Sequence, residues 1–272
     1  PCGNTARWEA EVHVLRVAWT YLRLSALNEL QYRANLVIQF FTSILALANG
    51  VAGLALVFLH TESLQGWGPM ELLVVVGVYT LIGGLIRAFI QPNMWRIMDG
   101  VQEGTLDYTL TKPADSQLLV SVTEFQLWKL VDVLLGTGVL VFAVLRLGGT
   151  IGLEEAALFA LVLLCGGLIL YSLWLAVATA SFWVVRIWSL FEMFESMYQA
   201  GRWPVGIYPE WLRLALTFVV PVAFAVTAPA EALTARLTPQ TLVLALAMAA
   251  GSLTVSRLFW KVGLRHYSGA SA

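Results

Sequence analysis

The sequence predicts an all-α integral membrane protein with six transmembrane helices, preceded by an amphipathic helix. Of its 272 residues, 59% are hydrophobic and 12% are charged, whereas about 25% are charged in an ordinary soluble domain. The mean hydropathy is +0.77. The apolar residues lie in continuous runs without the two-residue alternation of a β-barrel, and such runs must be helical because hydrocarbon offers their backbone no water.

Six apolar runs are long enough to cross about 30 Å of hydrocarbon as helices. They are residues 34–59, 72–90, 128–147, 156–185, 211–230 and 237–260. The run 156–185 exceeds one perpendicular crossing, so we expect it to be tilted or to extend beyond the bilayer. The predicted organisation is an N-terminal segment 1–33, a transmembrane domain 34–260 with a long loop 91–127, and a tail 261–272.

The positive charges predict the orientation in the cell membrane. With the N terminus placed in the cytoplasm, all of the 16 Lys and Arg residues except Arg146 and Arg236 lie at or beyond the inner ends of the spans. This asymmetry predicts that both termini and the loop 91–127 are cytoplasmic. We interpret Lys129 and Asp132 as an interfacial pair, and Arg87 as an arginine that extends to the nearby membrane surface.

Residues 1–33 predict an amphipathic helix on the cytoplasmic leaflet, with tryptophans at the depth of the lipid head groups. Its apolar stripe at helical spacing consists of Trp8, Val12, Leu15, Trp19, Leu22, Ala26 and Leu30. Val14, Val17 and Leu24 fall elsewhere on the helical wheel. A soluble helix that packs on the rest of the protein is therefore the alternative.

The loop 91–127 is the part of the sequence whose pattern says most about a contact with a partner. Pro92 predicts an interruption where the second span ends, and Gly100 and Gly104 weaken a long helix. Thr105 is placed to cap a short helical turn that ends before Pro113. The result is a compact knob whose charges are Asp99, Glu103, Asp107 and Lys112. These charges either dock a partner or form an ordinary solvated surface.

Two segments carry a resemblance to a known family. EGTLDYTLTKPADSQLLVS, at Glu103–Ser121, resembles the cytoplasmic loop of ABC-2-type transporter permeases, especially those with the pattern Gly-x-Leu-Asp-x-x-Leu-x-Lys-Pro. The matching positions are Gly104, Leu106, Asp107, Leu110, Lys112 and Pro113. GRWPVGIYPEWLRLALTFVVPVAF, at Gly201–Phe224, resembles the family's lead into the fifth span through Pro204, Tyr208, Pro209, Arg213 and Pro221. Ala228–Leu233 is similar to the segment that follows that span.

The resemblance implies the permease subunit of an ATP-driven transporter, with the architecture of type V exporters. Two permeases, identical or sister subunits, would pair with two copies of an ATPase subunit that binds ATP and magnesium. Arg96, Asp99 and Glu103 and the motif Gly104–Pro113 would form the loop that couples to the ATPase. Export is the direction that the resemblance favours, and the substrate and the residues that bind it are not predicted.

The remaining residues exclude several kinds of site. The sequence has no Gly-x-x-x-x-Gly-Lys-Ser/Thr phosphate loop, so we expect a non-catalytic subunit without a cofactor of its own. His13, His60 and His266 are scattered, as are Cys2 and Cys165, and neither set predicts a metal site. The net charge of −1 gives no basic surface for nucleic acid.

Two alternatives to the ATP-driven transporter stay open. One is a secondary carrier that works without an ATPase, which the nearly charge-free middles of the spans disfavour. The other is a membrane anchor or assembly subunit that transports nothing.

Aromatic residues cluster around the inner end of the fourth span, and we interpret them as an interfacial belt with helix packing rather than a substrate path. They are Trp174, Phe182, Trp183, Trp188, Phe191 and Phe194. The pairs Gly83-Gly84 and Gly166-Gly167 predict close helix contacts, within one subunit or across a dimer.

Overall fold

The computed structural model describes residues 33–112, 115–148, 152–184 and 187–267, together with Thr20, Arg23 and Leu27. Its secondary structure in these ranges is helical and contains no β-strand. The predicted all-α membrane architecture is confirmed. The predicted amphipathic helix of residues 1–33 lies almost wholly outside the described residues, as does Pro113.

The helices follow in chain order. They are α1 (Arg33–Phe58), α2 (Pro69–Leu85), α3 (Gln91–Glu103), α4 (Asp107–Leu110), α5 (Ser116–Ser121), α6 (Leu130–Leu147), α7 (Leu153–Ala180), α8 (Trp188–Tyr198), α9 (Glu210–Leu214), α10 (Ala228–Leu233) and α11 (Pro239–His266). Wider π-helical turns at Ile86–Ile90, Ala215–Val219 and Ala223–Thr227 continue α2 into α3, extend α9 and begin α10.

Five helices among the described residues are long and apolar enough to cross a membrane. They are Ala34–Phe58, Pro69–Glu103, Leu127–Leu147, Leu153–Ala180 and Pro239–His266. A sixth candidate is the pair Glu210–Val219 and Ala223–Leu233, which is bent by 79° at a short break. The structure therefore has six spans if this bent pair counts as one crossing.

The second span does not end before Pro92, so that prediction is wrong. The helix runs for 35 residues, from Pro69 to Glu103. Proline has no N–H to donate to Ala88, four residues earlier, and the backbone N–H of Gln126 donates to the Ala88 carbonyl instead, at 3.0 Å. The wide turn at Ile86–Ile90 and this tertiary hydrogen bond let the helix pass Pro92.

The predicted span 211–230 is not one straight helix. Pro221 lies in the break between Val219 and Ala223, where a proline removes a helical hydrogen bond and clashes with the preceding turn. The first half exposes large apolar side chains, among them Trp211 and Phe218. The second half is buried against the other helices.

One end of the bundle is held by a contact between the first turn of α2, with the residues just before it, and the segment before α11. Arg236 donates to the Glu71 carboxylate at 2.7 Å and to the Gly66 carbonyl at 2.7 Å. Its guanidinium lies 4.8 Å from the centre of the Trp67 ring. We call this end the Glu71 end, and the opposite end, which carries residues 91–112 and 115–126, the loop end.

Positions along helix α2 give the distance from the Glu71 end into the bundle, because an α-helix rises 1.5 Å per residue. Tyr79 follows Glu71 by eight residues, or about 12 Å. The Tyr198 ring at the end of α8 stacks on Tyr79, with 5.0 Å between ring centres, and the Arg202 guanidinium lies 5.5 Å from the Tyr79 ring centre. Arg202 therefore lies at the depth of the bundle interior, and its predicted place at the inner surface is wrong.

Glycines bring α2 and α6 into the most extensive helix contact of the described residues. A Cβ at Gly136 would lie within 3 Å of the Leu81 backbone and of the Gly77 carbonyl, and one at Gly84 would lie as close to Asp132 and Val133. Gly166 has the same relation to Ala225. The predicted close contacts of Gly84 and Gly166 thus occur within one subunit.

This packing predicts opposite results for two glycines of α6. Gly136→Val should lower the free energy of unfolding by about 1–3 kcal/mol or more, because the added atoms overlap the α2 backbone. Gly138→Val is the matched control, since a Cβ at Gly138 meets no atom within 4 Å. The measurement is thermal unfolding of each variant in the same detergent. Equal stability of the two variants would contradict the packing.

Candidate functional site

The loop end presents a compact knob, which we define as residues 104–112. Helix α3 stops at Gly104, whose φ of +70° is the left-handed conformation that glycine adopts without strain. The chain then turns back, and the Leu106 N–H donates to the Gly100 carbonyl at 3.1 Å. Leu106 is 4% exposed. The knob is therefore attached to the helix by its own buried leucine.

The predicted loop residues occupy different parts of this surface. Leu106 is buried, Gly104, Asp107 and Leu110 are partly buried, and Arg96, Asp99, Glu103 and Lys112 are exposed. Helix α4 begins after Leu106 without a side-chain cap, so the predicted cap by Thr105 is wrong. The exposed Tyr108, which was not predicted, forms the tip of the knob.

Asn93 fixes the returning chain beside α3. Its amide nitrogen donates to the carbonyls of Phe89 and Glu124, at 2.6 and 2.8 Å. Its amide oxygen accepts from the N–H groups of Thr123 and Glu124, at 2.9 and 2.8 Å. All four hydrogen-bonding positions of this buried side chain are used, so residues 123–124 hold a fixed place on the second span.

A second attachment joins the residues after the knob to α11. The Asp115 side chain caps α5 by accepting from the Leu118 N–H at 3.2 Å, and it also accepts hydrogen bonds from Arg257. Arg257 donates to the Gln117 side chain as well, at 2.8 Å. Hydrogen bonding from the guanidinium lowers the pKa of Asp115, so this carboxylate stays ionised at neutral pH.

Beside the knob, a groove of about 570 Å³ runs along the outer face of α3. Its charged lining consists of Arg87, Arg96, Asp99, Glu103 and Glu124, and the half-exposed Trp95 lies among them. Arg96 and Glu124 form an exposed ion pair at 2.7 Å. The groove thus offers both signs of charge and an aromatic ring to a docking surface.

The second motif, residues 201–224, lies before and within the bent pair of helices Glu210–Val219 and Ala223–Leu233. The Tyr208 hydroxyl donates to the Ala200 carbonyl at 2.9 Å. Pro204 is buried and Pro209 directly precedes α9, where Arg213 lies 3.9 Å from Glu210. With Pro221 at the break, these residues shape backbone turns.

The predicted aromatic cluster divides into two groups. Trp174 packs on Phe191 with 4.1 Å between ring centres, and Trp188 packs on Trp95 at 4.9 Å. Phe182 and Trp183 instead contact α11, through Trp260 and Phe259. Both groups join helices near the loop end, as expected of packing.

The interior of the bundle contains an ion pair that sequence reasoning did not predict. The Arg87 guanidinium lies 3.0 Å from the Asp132 carboxylate, whose side chain is 7% exposed. The second carboxylate oxygen accepts from Ser43 and, at 3.5 Å, from Gln39. Lys129 donates to the Gln39 side chain at 2.9 Å. Asp132 thus pairs with Arg87 and not with Lys129, which corrects both interpretations of these charges.

The signal for this pair was present in the sequence. Arg87 and Asp132 are charges within apolar runs, and a charge at such a position faces the bundle interior and pairs with another. The sequence places each near the end of its span, where extension to the surface is the simpler interpretation. Ser43 and Gln39 gave no signal, because single polar residues are common in transmembrane helices.

The ion pair forms one wall of a cavity of about 340 Å³ between α1, α2 and α6. Its polar lining consists of Gln39, Thr42, Ser43, Asn49, Tyr79, Thr80, Arg87, Lys129, Asp132 and Arg202. No group of three metal-ligating side chains occurs among the described residues.

The fold and these features define a multi-pass helical membrane protein with a rigid polar loop region at one end. The chain belongs to the ABC-2 transporter family, since residues 44–271 match the family described as ABC-2 family transporter protein. It is a membrane permease of an ABC transporter, and membership implies an ABC ATPase as partner. The resemblance predicted from the two motifs is confirmed. No curated protein matches the sequence.

The buried ion pair predicts a strong asymmetry between single and double substitutions. Asp132→Ala should lower the free energy of unfolding by about 3–5 kcal/mol, because Arg87 is left as an unpaired charge. The double variant Arg87→Met with Asp132→Leu should recover most of this loss. The measurement is thermal unfolding in lipid nanodiscs.

Glu124→Ala is the control for this pair. It breaks the exposed Arg96–Glu124 contact, which should change stability by at most about 1 kcal/mol. An Asp132→Ala variant as stable as Glu124→Ala would contradict a structural role for the buried pair.

Proposed function

We propose that this permease is the membrane subunit of an ATP-driven exporter and that its loop end is the contact for a separate ATPase. Two copies of the ATPase would assemble with two permeases, identical or sister subunits. The groove along α3 and the adjoining knob carry the contact, and Asp107 and Lys112 supply charges at its edge.

The observation that carries this proposal is the attachment of the knob to the second span. The helix Pro69–Glu103 spans about 52 Å at 1.5 Å per residue, which exceeds the thickness of the hydrocarbon. Three attachments hold the loop end together: the buried Leu106, the Asn93 hydrogen bonds and the Asp115–Arg257 ion pair. A force applied to the knob would therefore move the second span and α11.

The secondary carrier is the other candidate, and the buried Asp132 is the observation that favours it. Proton or cation transport needs a carboxylate that changes its charge or partner. Asp132 instead accepts hydrogen bonds on both oxygens, from Arg87 and Ser43, which suits a structural ion pair better. Transport driven by an ion gradient without nucleotide would support the carrier.

The coupling proposal predicts that the knob is needed for contact with the ATPase and not for folding. Asp107→Ala or Lys112→Ala should weaken ATPase association by about 2–5 kcal/mol if each charge meets a buried partner. Gly104→Val should impair it through the backbone, because valine is strained at φ +70°. The measurements are ATPase co-purification and ATP-dependent transport at matched expression.

Glu154→Ala is the matched control, since Glu154 is an exposed carboxylate at the other end of α7 from the loop region. An ordinary surface charge changes stability by about 0.5 kcal/mol or less. Full ATPase association and transport in all three knob variants would remove the knob from the mechanism.

A topology measurement tests the cytoplasmic placement of the loop end. In a background without Cys2 and Cys165, a cysteine at Tyr108, which is 77% exposed, should resist an impermeant thiol reagent in intact cells and react after lysis. A cysteine at Ser63, exposed at the Glu71 end, should react in intact cells. The reverse pattern would overturn the proposed orientation.

A further inference from the structure

The cavity between α1, α2 and α6 has more positive than negative charge. Its ionisable lining consists of Arg87, Lys129 and Arg202 against the single carboxylate of Asp132, a net charge of +2. Asp132 already forms an ion pair with Arg87. Lys129 and Arg202 form no ion pair with any described residue. Glu195 lies nearby, but it accepts from Gln91 and does not line the cavity.

The cations are spread along the depth of the bundle. The Arg87 guanidinium lies beside Gly83, which follows Tyr79 by four residues, or about 6 Å along the helix. Arg202 lies against Tyr79, toward the middle of the bundle, whereas Lys129 and Arg87 lie nearer the loop end. An anionic group entering near Lys129 would meet a further cation as it moved inward.

The same cavity has an apolar part and an open side. Leu47, Leu54 and Val76 belong to its lining. Thr42 and Asn49, on α1, are exposed at its edge. The remaining surface of α1 exposes large apolar side chains such as Phe41 and Leu45, as a helix that borders lipid does. The cavity is therefore open beside an apolar helix surface, along which an acyl chain can lie.

We propose that this cavity binds the negatively charged head group of an amphiphile, and that anionic amphiphiles are the substrate class of the permease. This inference rests on the proposed transport function. Lys129 and Arg202 attract the anion, and the Arg87 guanidinium supplies the N–H groups that do not donate to Asp132. Cationic donors of this kind form strong hydrogen bonds to phosphate oxygens.

The size of the cavity limits what it encloses. Ligand cavities are usually about 300–1,000 Å³, so 340 Å³ accommodates a phosphate-sized head group and the first carbons of a tail. The rest of the tail remains in lipid through the side bounded by α1. A molecule of this kind enters from the membrane and not from the aqueous phase.

Binding is tested on the whole permease without its ATPase. Native mass spectrometry would count adducts of dioleoyl phosphatidic acid and of dioleoyl phosphatidylcholine, which share the same tails and differ in head-group charge. Inorganic phosphate alone is the third probe. The wild-type permease should retain phosphatidic acid about tenfold better than phosphatidylcholine. It should retain little free phosphate, because phosphate has no tail.

Variants test whether the preference for phosphatidic acid depends on the cations of the cavity. Lys129→Gln and Arg202→Gln should each reduce phosphatidic acid adducts by about tenfold and leave phosphatidylcholine adducts unchanged. Neither substitution unpairs Asp132. Arg202→Lys keeps the charge and should retain most of the binding. Lys261→Gln is the matched control, because it removes an exposed lysine of α11 outside the cavity.

The outcomes separate this inference from the proposed function. Equal binding of the two lipids, unchanged binding in both glutamine variants, or phosphate retained as well as phosphatidic acid would each overturn the anionic-amphiphile site. Selective binding that depends on Lys129 and Arg202 would support the site. With the ATPase present, phosphatidic acid should then stimulate hydrolysis in wild type only. Selective binding without stimulation would count against ATP-driven transport of this lipid and leave the site intact.

Discussion

The ion pair between Arg87 and Asp132 is the interaction around which the bundle is organised. A charge in an apolar interior is tolerated only beside a partner, so the pair fixes the relative position of α2 and α6. Gly84 makes the pairing feasible, because any larger residue there would push Asp132 and its helix away. Ser43 then brings α1 to the same carboxylate. One glycine and one carboxylate thus determine where three helices meet.

The same arrangement leaves two cations at the cavity without an ion-pair partner among the described residues. Arg87 satisfies Asp132, so Lys129 and Arg202 bring positive charge to the cavity without a carboxylate of their own. Lys129 is partly buried and Arg202 is exposed, so the packing of the fold does not depend on a carboxylate partner for either cation. Their common place at the cavity, beside an ion pair that is already satisfied, is what supports the proposed anion site.

Hydropathy predicted where the apolar helices lie, because a helix in hydrocarbon must be apolar along its whole length. The predicted runs 34–59 and 128–147 agree with the helices Ala34–Phe58 and Leu127–Leu147 to within one residue, whereas the helix that begins at Pro69 extends 13 residues beyond its predicted end. Gly104 of the loop motif coincides with the end of α3. The passage through Pro92 could not be predicted, since it depends on a hydrogen bond from Gln126, far along the chain. Arg202 was misplaced for a related reason: its depth is set by contact with Tyr79, while the polar sequence around it is typical of a surface loop. The partner of Asp132 also depends on helix packing and is invisible to local pattern.

The second span connects the two regions for which we propose a function. Its loop end carries the Asn93 attachments, and its interior carries Arg87 and Tyr79, which face the cavity. If a partner at the loop end displaces this helix, as the proposed coupling requires, Arg87 moves with it relative to Asp132, which lies on α6. A guanidinium drawn away from its carboxylate has more N–H groups free to donate to an anion. Under the proposed function, the ion pair is therefore where movement of the loop end would alter the affinity of the cavity.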